Sequence, residues 1–162
     1  MRRLARQLGY AEPDPRDDLS GEDVVRKFIT LARASGIRLE RSDVTVENLT
    51  PADLRAVSAE EFLERIDAYD AEWTRRVAEA TAAGTVLRYV GTLENGKIHI
   101  GVSAVPSGSP LASLAGTDNQ IAIFTRRYHA SPMIIQGPGA GKEVTAAGLL
   151  ADIQKIAIRI VR

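Results

Sequence analysis

The sequence predicts an α+β fold, with helices packed on a mostly antiparallel sheet of about four to five strands. Three observations predict this class. Apolar residues recur at helical spacing in the first half of the chain, as far as Gly84. After Gly84 the apolar period changes from about 3.6 to about 2 residues, which is typical of strands. Residues 144–161 then form a long stretch with little charge, which predicts a closing helix.

Composition excludes several classes of function. The chain has 162 residues, which is enough for one domain with a real core. Lys and Arg together number 21, as do Asp and Glu, so the charge balance gives no argument for a nucleic acid or an anionic membrane as partner. The absence of cysteine excludes disulfides and thiol nucleophiles, and it fits a reducing, cytoplasmic compartment. No apolar run approaches the roughly 20 residues of a membrane span.

Residues 10–27 begin with a stiff acidic stretch. Pro13 and Pro15 favour an extended backbone in its first half, because each proline fixes its own φ and restricts the residue before it. Six carboxylates fall within the stretch: Glu12, Asp14, Asp17, Asp18, Glu22 and Asp23. Carboxylates at this density either bind a polar ligand or form a solvated surface.

The acidic stretch leads into a predicted helix over 20–35. Ser20 is the expected N-cap, with Asp23 at the capping-box position, and Gly36 is a natural stop. Asp23 and Lys27 stand four residues apart and so share one helical face. They are either a solvated ion pair or a carboxylate and a lysine that bind substrate and move a proton.

The next elements are a short strand and a second helix. Residues 43–48 are rich in β-branched side chains, which favours a strand. Ser58 and Glu61 form a capping box at the start of a helical pattern that ends near Gly84. The only Trp, Trp73, lies in the apolar stripe of this pattern, where core or subunit-interface packing is expected.

The second half of the chain predicts strands and turns. Asn95-Gly96 is the residue pair preferred in type I′ hairpin turns. The strands are expected over 86–90, 97–105, 120–128 and 132–136.

A glycine-rich turn, residues 137–145, joins the last expected strand to the closing helix. Alternate glycines at such a joint let backbone N–H groups approach a phosphate or a flat ring. The turn is not a Walker A loop, because its glycine spacing is short and Glu143 stands where Ser or Thr is needed. Nor is it a dinucleotide fingerprint, since no strand follows the helix. A plain tight turn stays open as the alternative.

No metal site is expected. The two histidines, His99 and His129, lie far apart and have no cysteine to complete a zinc site. The acidic stretch lacks the spacing and the glycine of an EF-hand loop.

Three stretches together closely resemble homoserine dehydrogenases. They are Gly-Tyr-Ala-Glu-Pro-Asp-Pro-Arg-Asp-Asp-Leu-Ser-Gly-x-Asp-Val-x-Arg-Lys at 9–27, Val-Leu-Arg-Tyr-Val-Gly at 86–91 and Gly-x-Gly-Ala-Gly-x-x-Val-Thr-Ala-Ala-Gly at 137–148. The resemblance spans essentially the whole chain. It is strongest to the class that includes the C-terminal half of bifunctional aspartokinase–homoserine dehydrogenases.

The resemblance implies a division of the chain. Residues 1–136 correspond to the catalytic, substrate-binding and dimerisation domain, and residues 137–162 to the turn and helix that return to the NAD(P)-binding domain. The dinucleotide-binding half is not in this sequence, so NADP or NAD is expected to be bound mainly by residues outside it. Gly139, Gly141 and Thr145 correspond to the turn that contacts the cofactor.

The resemblance also implies a reaction and its residues. The family interconverts L-aspartate 4-semialdehyde and L-homoserine in threonine and methionine biosynthesis, and a cytoplasmic homodimer is expected. Lys27 corresponds to the catalytic lysine that exchanges a proton with the substrate oxygen, and Asp23 to the aspartate that orients it. Glu12 corresponds to the residue that binds the substrate amino group, and Tyr10 and Asp18 to further substrate contacts. The isolated chain is expected to show little or no turnover.

Two other functions stay open at this stage. The chain is alternatively a non-catalytic assembly module, in which the sheet and the Trp73 helix drive dimerisation. A divalent-metal-dependent hydrolase that uses the acidic stretch is the third possibility.

Overall fold

The computed structural model describes residues 14–116, 118–139 and 141–160. The helices in these ranges are α1 (Pro15–Ser20), α2 (Glu22–Ala34), α3 (Ala59–Arg65), α4 (Asp70–Ala82) and α5 (Lys142–Ile160). The strands are β1 (Val44–Val46), β2 (Thr85–Glu94), β3 (Lys97–Pro106), β4 (Asp118–Ile123) and β5 (Met133–Pro138). The chain divides after Val105 into unit 1 (Met1–Val105) and unit 2 (Pro106–Arg162).

Unit 1 contains a three-stranded sheet with the order β1-β3-β2. β1 runs parallel to β3, and Val44 stands opposite Ile98. β2 and β3 are joined through Asn95 and Gly96, whose φ angles of 50° and 73° are both positive, as a type I′ turn requires. The predicted hairpin is therefore present, whereas the parallel pairing of β1 was not predicted.

The core of unit 1 lies between α2 and this sheet. Val25 and Ala32 are fully buried and lie seven residues apart, so they share one face of α2. They pack with buried residues of the sheet and of the segment leading to it: Leu39, Val44, Ile98 and Ile100. A second buried cluster consists of Leu54, Phe62 and Ile66. Burial of these apolar groups is the main stabilising contribution to unit 1.

The helical pattern after Ser58 forms two helices instead of one. The Ser58 hydroxyl accepts a hydrogen bond from the Glu61 N–H at 3.1 Å, which confirms the predicted N-cap of α3. Residues Ile66–Tyr69 then form a 3₁₀ turn that separates α3 from α4. The helical pattern ends at Gly84, whose φ of 71° places it in the left-handed region, as the glycine stop predicted.

Unit 2 contains an antiparallel pair of strands and α5. The register of β4 and β5 places Ile121 opposite Ile135. None of the described residues of unit 2 is buried, and every position of α5 is exposed. The predicted α+β class is confirmed, with the five strands divided between two sheets. None of the helices in the described ranges is long and apolar enough to cross a membrane.

Candidate active site

Within the acidic stretch, residues Pro15–Ser20 form a helix where an extended loop was predicted. Asp14 itself is extended, with φ −103° and ψ 111°, and its side chain accepts from the Arg16 N–H at 3.0 Å. Asp14 is thus an N-cap, and Pro15 occupies the first helical position, where a proline is well tolerated. The loop prediction was therefore wrong for residues 15–20, because these two residues start α1, and its part before Asp14 lies outside the described residues.

The predicted start of the next helix was also wrong, by two residues. Gly21 has a φ of 77°, which ends α1 in the left-handed region, and α2 begins at Glu22. Ser20 is the last residue of α1, although its hydroxyl still accepts from the Glu22 N–H at 3.2 Å. The two helices therefore meet at the single residue Gly21, which is buried.

Asp23 and Lys27 form an ion pair on α2. The Lys27 Nζ lies 2.6 Å from the Asp23 Oδ2, as expected for residues four apart on one helical face. The exposed fractions of the two side chains are 54% for Lys27 and 59% for Asp23. An ammonium group that is accessible and held by one carboxylate can reach a bound polar substrate and exchange a proton with it.

Asp14 and Arg16 form a tightly connected pair at the start of α1. The Arg16 guanidinium donates to both carboxylate oxygens of Asp14, with a shortest distance of 2.5 Å. It also donates to the carbonyl oxygens of Arg55 and Val57. The hydrogen bonds from Arg16 hold the pKa of the Asp14 carboxyl below its usual value. Arg16 therefore links the start of α1 to the segment before α3 by hydrogen bonds.

The other predicted substrate residues belong to the same part of the chain. Asp18 lies on α1 and is exposed. Tyr10 and Glu12 lie outside the described residues. The structure thus places Asp18 on one side of Gly21 and the Asp23–Lys27 pair on the other.

The glycine turn of unit 2 leads directly into α5. Gly141 has a φ of 119°, a backbone conformation that favours glycine, and α5 begins at the next residue. Thr145 returns to this glycine, since its hydroxyl and its N–H each donate to the Gly141 carbonyl at 3.0 Å. A Cβ added at Gly139 would lie 1.8 Å from the Asn119 side chain. Exposed glycine backbone at the start of a long helix is suited to a phosphate group.

Three residues of this arrangement were missed at the sequence level. Arg16 carries no motif of its own, and its carbonyl partners lie about 40 positions away. Gly21 was overlooked because Ser20 offered a stronger cap signal. Asn119 could not be linked to Gly139 without the β4–β5 register. In the described residues, no group of three or more His, Cys, Asp or Glu side chains is placed to hold a metal ion.

Comparisons with known proteins agree on one family. A family model described as homoserine dehydrogenase matches residues 2–154. A bifunctional aspartokinase/homoserine dehydrogenase 2 from Zea mays is 49% identical over 156 residues, covering 94% of this chain and 17% of the relative. The homoserine dehydrogenase of Saccharomyces cerevisiae is 44% identical over 162 residues, covering 98% of this chain and 45% of the yeast enzyme.

A solved structure shares the fold almost throughout. It is a Candida auris protein of unknown function, with a TM-score of 0.90 and 45% identity, covering 98% of this chain and 45% of that one. The chain therefore spans between about a sixth and a half of the length of the relatives it matches.

Proposed function

Because this chain belongs to the homoserine dehydrogenase family, we propose that it supplies the substrate-binding and catalytic part of such an enzyme. The reaction is the NAD(P)H-dependent interconversion of L-aspartate 4-semialdehyde and L-homoserine. The observation that carries the proposal is the Lys27–Asp23 ion pair, at 2.6 Å on an accessible helix face. The pair lies just beyond the acidic helix α1, where the substrate is expected to bind.

Lys27 exchanges the proton in this proposal. Oxidation of the alcohol removes a proton from its oxygen, and reduction of the aldehyde adds one, so the site needs a group that can do both. The Lys27 ammonium serves as acid in the reduction, and the neutral amine serves as base in the oxidation. Asp23 holds the Lys27 Nζ in place and lowers the entropic cost of reaching the substrate oxygen.

The acidic residues before Gly21 bind the substrate. Glu12 anchors the substrate ammonium, and Tyr10 and Asp18 complete the polar contacts. A carboxylate and an ammonium form a charge-assisted hydrogen bond, which is stronger than a neutral one. Asp18 supports this assignment because it is exposed on the short helix next to α2.

The glycine turn contacts the cofactor in this proposal. NADP or NAD supplies or accepts the hydride when it is bound. A phosphate-bearing group fits this turn because Gly139 and Gly141 present glycine backbone at the start of α5. Thr145 belongs to the same turn through its hydrogen bond to the Gly141 carbonyl. Most of the cofactor site lies outside residues 1–162, and residues 137–162 pack against that nucleotide-binding part. The support is the uncovered apolar face of α5, on which the exposed fractions of Leu149, Ile153 and Ile160 are 63%, 62% and 77%.

A chimeric enzyme tests the proposed function. Residues 1–162 replace the matching segment of the Saccharomyces cerevisiae homoserine dehydrogenase, and oxidation of L-homoserine is followed by the absorbance of NADPH. The chimera should be active, whereas residues 1–162 alone should show little or no turnover. Lys27→Met in the chimera should lower kcat by about 10² to 10⁴-fold, the usual contribution of a general acid–base group.

The control variant is Arg75→Met. Arg75 forms the same kind of exposed pair four residues apart, with its Nη1 2.7 Å from the Glu79 Oε1, but it lies on α4. Its loss should leave kcat unchanged. If Lys27→Met retains the kcat of the parent chimera, the lysine is not catalytic and the proposed function is wrong.

A second candidate is a non-catalytic assembly module. It is favoured by the exposed apolar residues of unit 2, such as Phe124 at 63% and Ile135 at 53%, and by Val77 at 52% on the Trp73 helix. The same surfaces support a homodimer of the enzyme. Sedimentation of the chimera should give a dimer under both candidates, so the kcat of Lys27→Met separates them.

A further inference from the structure

The joint between α1 and α2 is a single glycine with a fixed conformation. Gly21 is buried and has a φ of 77°, and the Gly21 carbonyl accepts the first hydrogen bond of α2, from the Val25 N–H at 3.0 Å. Asp18 precedes this joint, and Asp23 and Lys27 follow it. The angle between the two helices therefore sets the position of Lys27 relative to the acidic residues of α1.

The side chain of Tyr89 on β2 lies against this joint. A Cβ added at Gly21 would lie 2.1 Å from the Tyr89 Oη and 2.7 Å from the Val46 Cγ2. The hydroxyl of Tyr89 thus occupies the space that any side chain at position 21 would need. Since a real Cβ essentially never approaches another atom so closely, the joint and the hydroxyl fit each other only while position 21 is glycine.

The Tyr89 hydroxyl is itself held in place by the sheet. It donates to the carbonyl oxygen of Glu47 at 2.8 Å. Glu47 is tied to β3 at two points: its N–H donates to the Ile100 carbonyl at 2.8 Å, and its Oε2 accepts from the Val102 N–H at 2.7 Å. The Tyr89 hydroxyl at Gly21 is therefore held in place, through Glu47, by hydrogen bonds to β3, the central strand of the sheet.

A second contact from the same strand reaches the next turn of α2. Gly91 follows Tyr89 by two residues and so faces the same side of β2. A Cβ added at Gly91 would lie 2.2 to 2.9 Å from the ring of Phe28, the residue after Lys27. Tyr89 and Gly91 together contact both the joint and the part of α2 that carries Lys27.

We propose that Tyr89 is a positioning residue for the reaction, which sets the angle between α1 and α2 and thereby the distance from Lys27 to the bound substrate oxygen. This inference rests on the proposed function of Lys27. It gives a role to the Val-Leu-Arg-Tyr-Val-Gly stretch at 86–91, which contains no group expected to touch the substrate.

The test uses Tyr89→Phe in the chimeric enzyme described above. The phenyl ring keeps the packing of the side chain and removes only the hydroxyl that contacts the joint and Glu47. Because small displacements of a reacting group are costly in rate, kcat should fall about ten- to a hundredfold. The KM for L-homoserine should change less, since the variant leaves the acidic residues of α1 unchanged. Thermal unfolding, measured in parallel, gives the folded fraction by which kcat is corrected.

The matched control is Tyr69→Phe. Tyr69 also donates its hydroxyl to a protein oxygen, the Asp53 Oδ1 at 2.5 Å, but it lies in the 3₁₀ turn before α4. Within the described residues, its side chain makes no hydrogen bond to α1 or α2. Its kcat should equal that of the parent chimera. A kcat for Tyr89→Phe that also equals the parent value, in a chimera that Lys27→Met inactivates, overturns this inference alone.

A double variant separates positioning from general destabilisation. Gly21→Ala should lower kcat because its Cβ collides with the Tyr89 hydroxyl. Adding Tyr89→Phe removes the colliding oxygen but leaves the Val46 Cγ2 at 2.7 Å from the added Cβ and the positive φ of position 21. The combined loss of kcat should therefore be smaller than the product of the two single losses, so the two effects should be non-additive. Additive losses would show that the hydroxyl and the joint act independently, which contradicts the proposal. A chimera whose activity does not depend on Lys27 would refute the proposed function instead.

Discussion

Units 1 and 2 place their apolar side chains differently. Among the described residues, every buried apolar side chain lies at or before Val105. Phe62 and Ile100 of unit 1 are fully buried, whereas Ile153 and Ile156 of α5 have exposed fractions of 62% and 57%. Both units have regular secondary structure, but among the described residues only those of unit 1 form a buried core.

The difference shows what each unit needs for stability. Helices and strands satisfy backbone hydrogen bonds, but an exposed apolar face gains no free energy from the hydrophobic effect. Contiguous exposed apolar residues mark surfaces that other protein covers. Unit 1 therefore has the properties of an independent folding unit, and unit 2 those of a segment whose stability comes from what it packs against.

Truncation of a large apolar side chain should give the largest difference between the units. Phe62→Ala removes a fully buried ring and should lower the free energy of unfolding of unit 1 by about 3–5 kcal/mol. Ile153→Ala in α5 should change it by less than about 0.5 kcal/mol, as is usual for an exposed position. Urea unfolding followed by fluorescence measures both, because the only Trp, Trp73, lies in unit 1. An equal loss from the two variants would mean that α5 contributes to the same core.

Glycine-to-alanine substitutions sharpen the comparison, with a smaller effect. Gly91→Ala places a methyl group in the ring of Phe28 and should cost about 1–3 kcal/mol, as for other overpacked sites. Gly148 lies within α5, and apart from its chain neighbours and the helix's own backbone no atom lies within 4 Å of an added Cβ, so Gly148→Ala should strengthen the helix by up to about 1 kcal/mol. Circular dichroism during thermal unfolding should give opposite signs for the two variants. A stabilising Gly91→Ala would show that β2 and α2 are not in close contact.

Local signals made much of unit 1 predictable from the sequence. The Ser58 cap and the Asn95-Gly96 turn each depend on a few adjacent residues, and both were predicted. The Asp23–Lys27 pair was equally predictable from the sequence, because helical spacing alone brings the two side chains together. These features need no information about the rest of the chain.

Features that depend on distant residues were missed. The parallel pairing of β1 with β3 joins residues separated by about fifty positions, and no local pattern encodes it. Asp14-Pro15 and Ser20 both carry cap signals, but only Asp14 is an N-cap in the structure, at the start of α1. The start of α2 was misplaced because the left-handed conformation of Gly21 ends α1 there, and α2 begins after Gly21. For the candidate site, the lysine could be identified from its spacing and the family resemblance. The contact of Tyr89 with Gly21 could not, since it needs the sheet to be assembled.

The smallest expected effect concerns charge at the surface of each unit. Asp14 pairs with Arg16 in unit 1, with exposed side-chain fractions of 33% and 21%, and Asp152 pairs with Lys155 in α5, with 71% for both. Arg16 keeps the pKa of the Asp14 carboxyl below the value of 3.8 that an isolated aspartate has. The folded state therefore binds the proton less readily than the unfolded state, so the pair stabilises above about pH 4 and this stabilisation is lost as the pH falls further.

Asp14→Asn should lower the free energy of unfolding at pH 7 by about 0.5–1 kcal/mol and by less at pH 3. Asp152→Asn should change it at neither pH, because an exposed pair on an uncovered helix contributes almost nothing. Urea midpoints of the two variants at both pH values measure these changes. Since Asn caps a helix about as well as Asp, a loss for Asp14→Asn that is as large at pH 3 as at pH 7 would show that the loss does not come from the charge of the carboxyl.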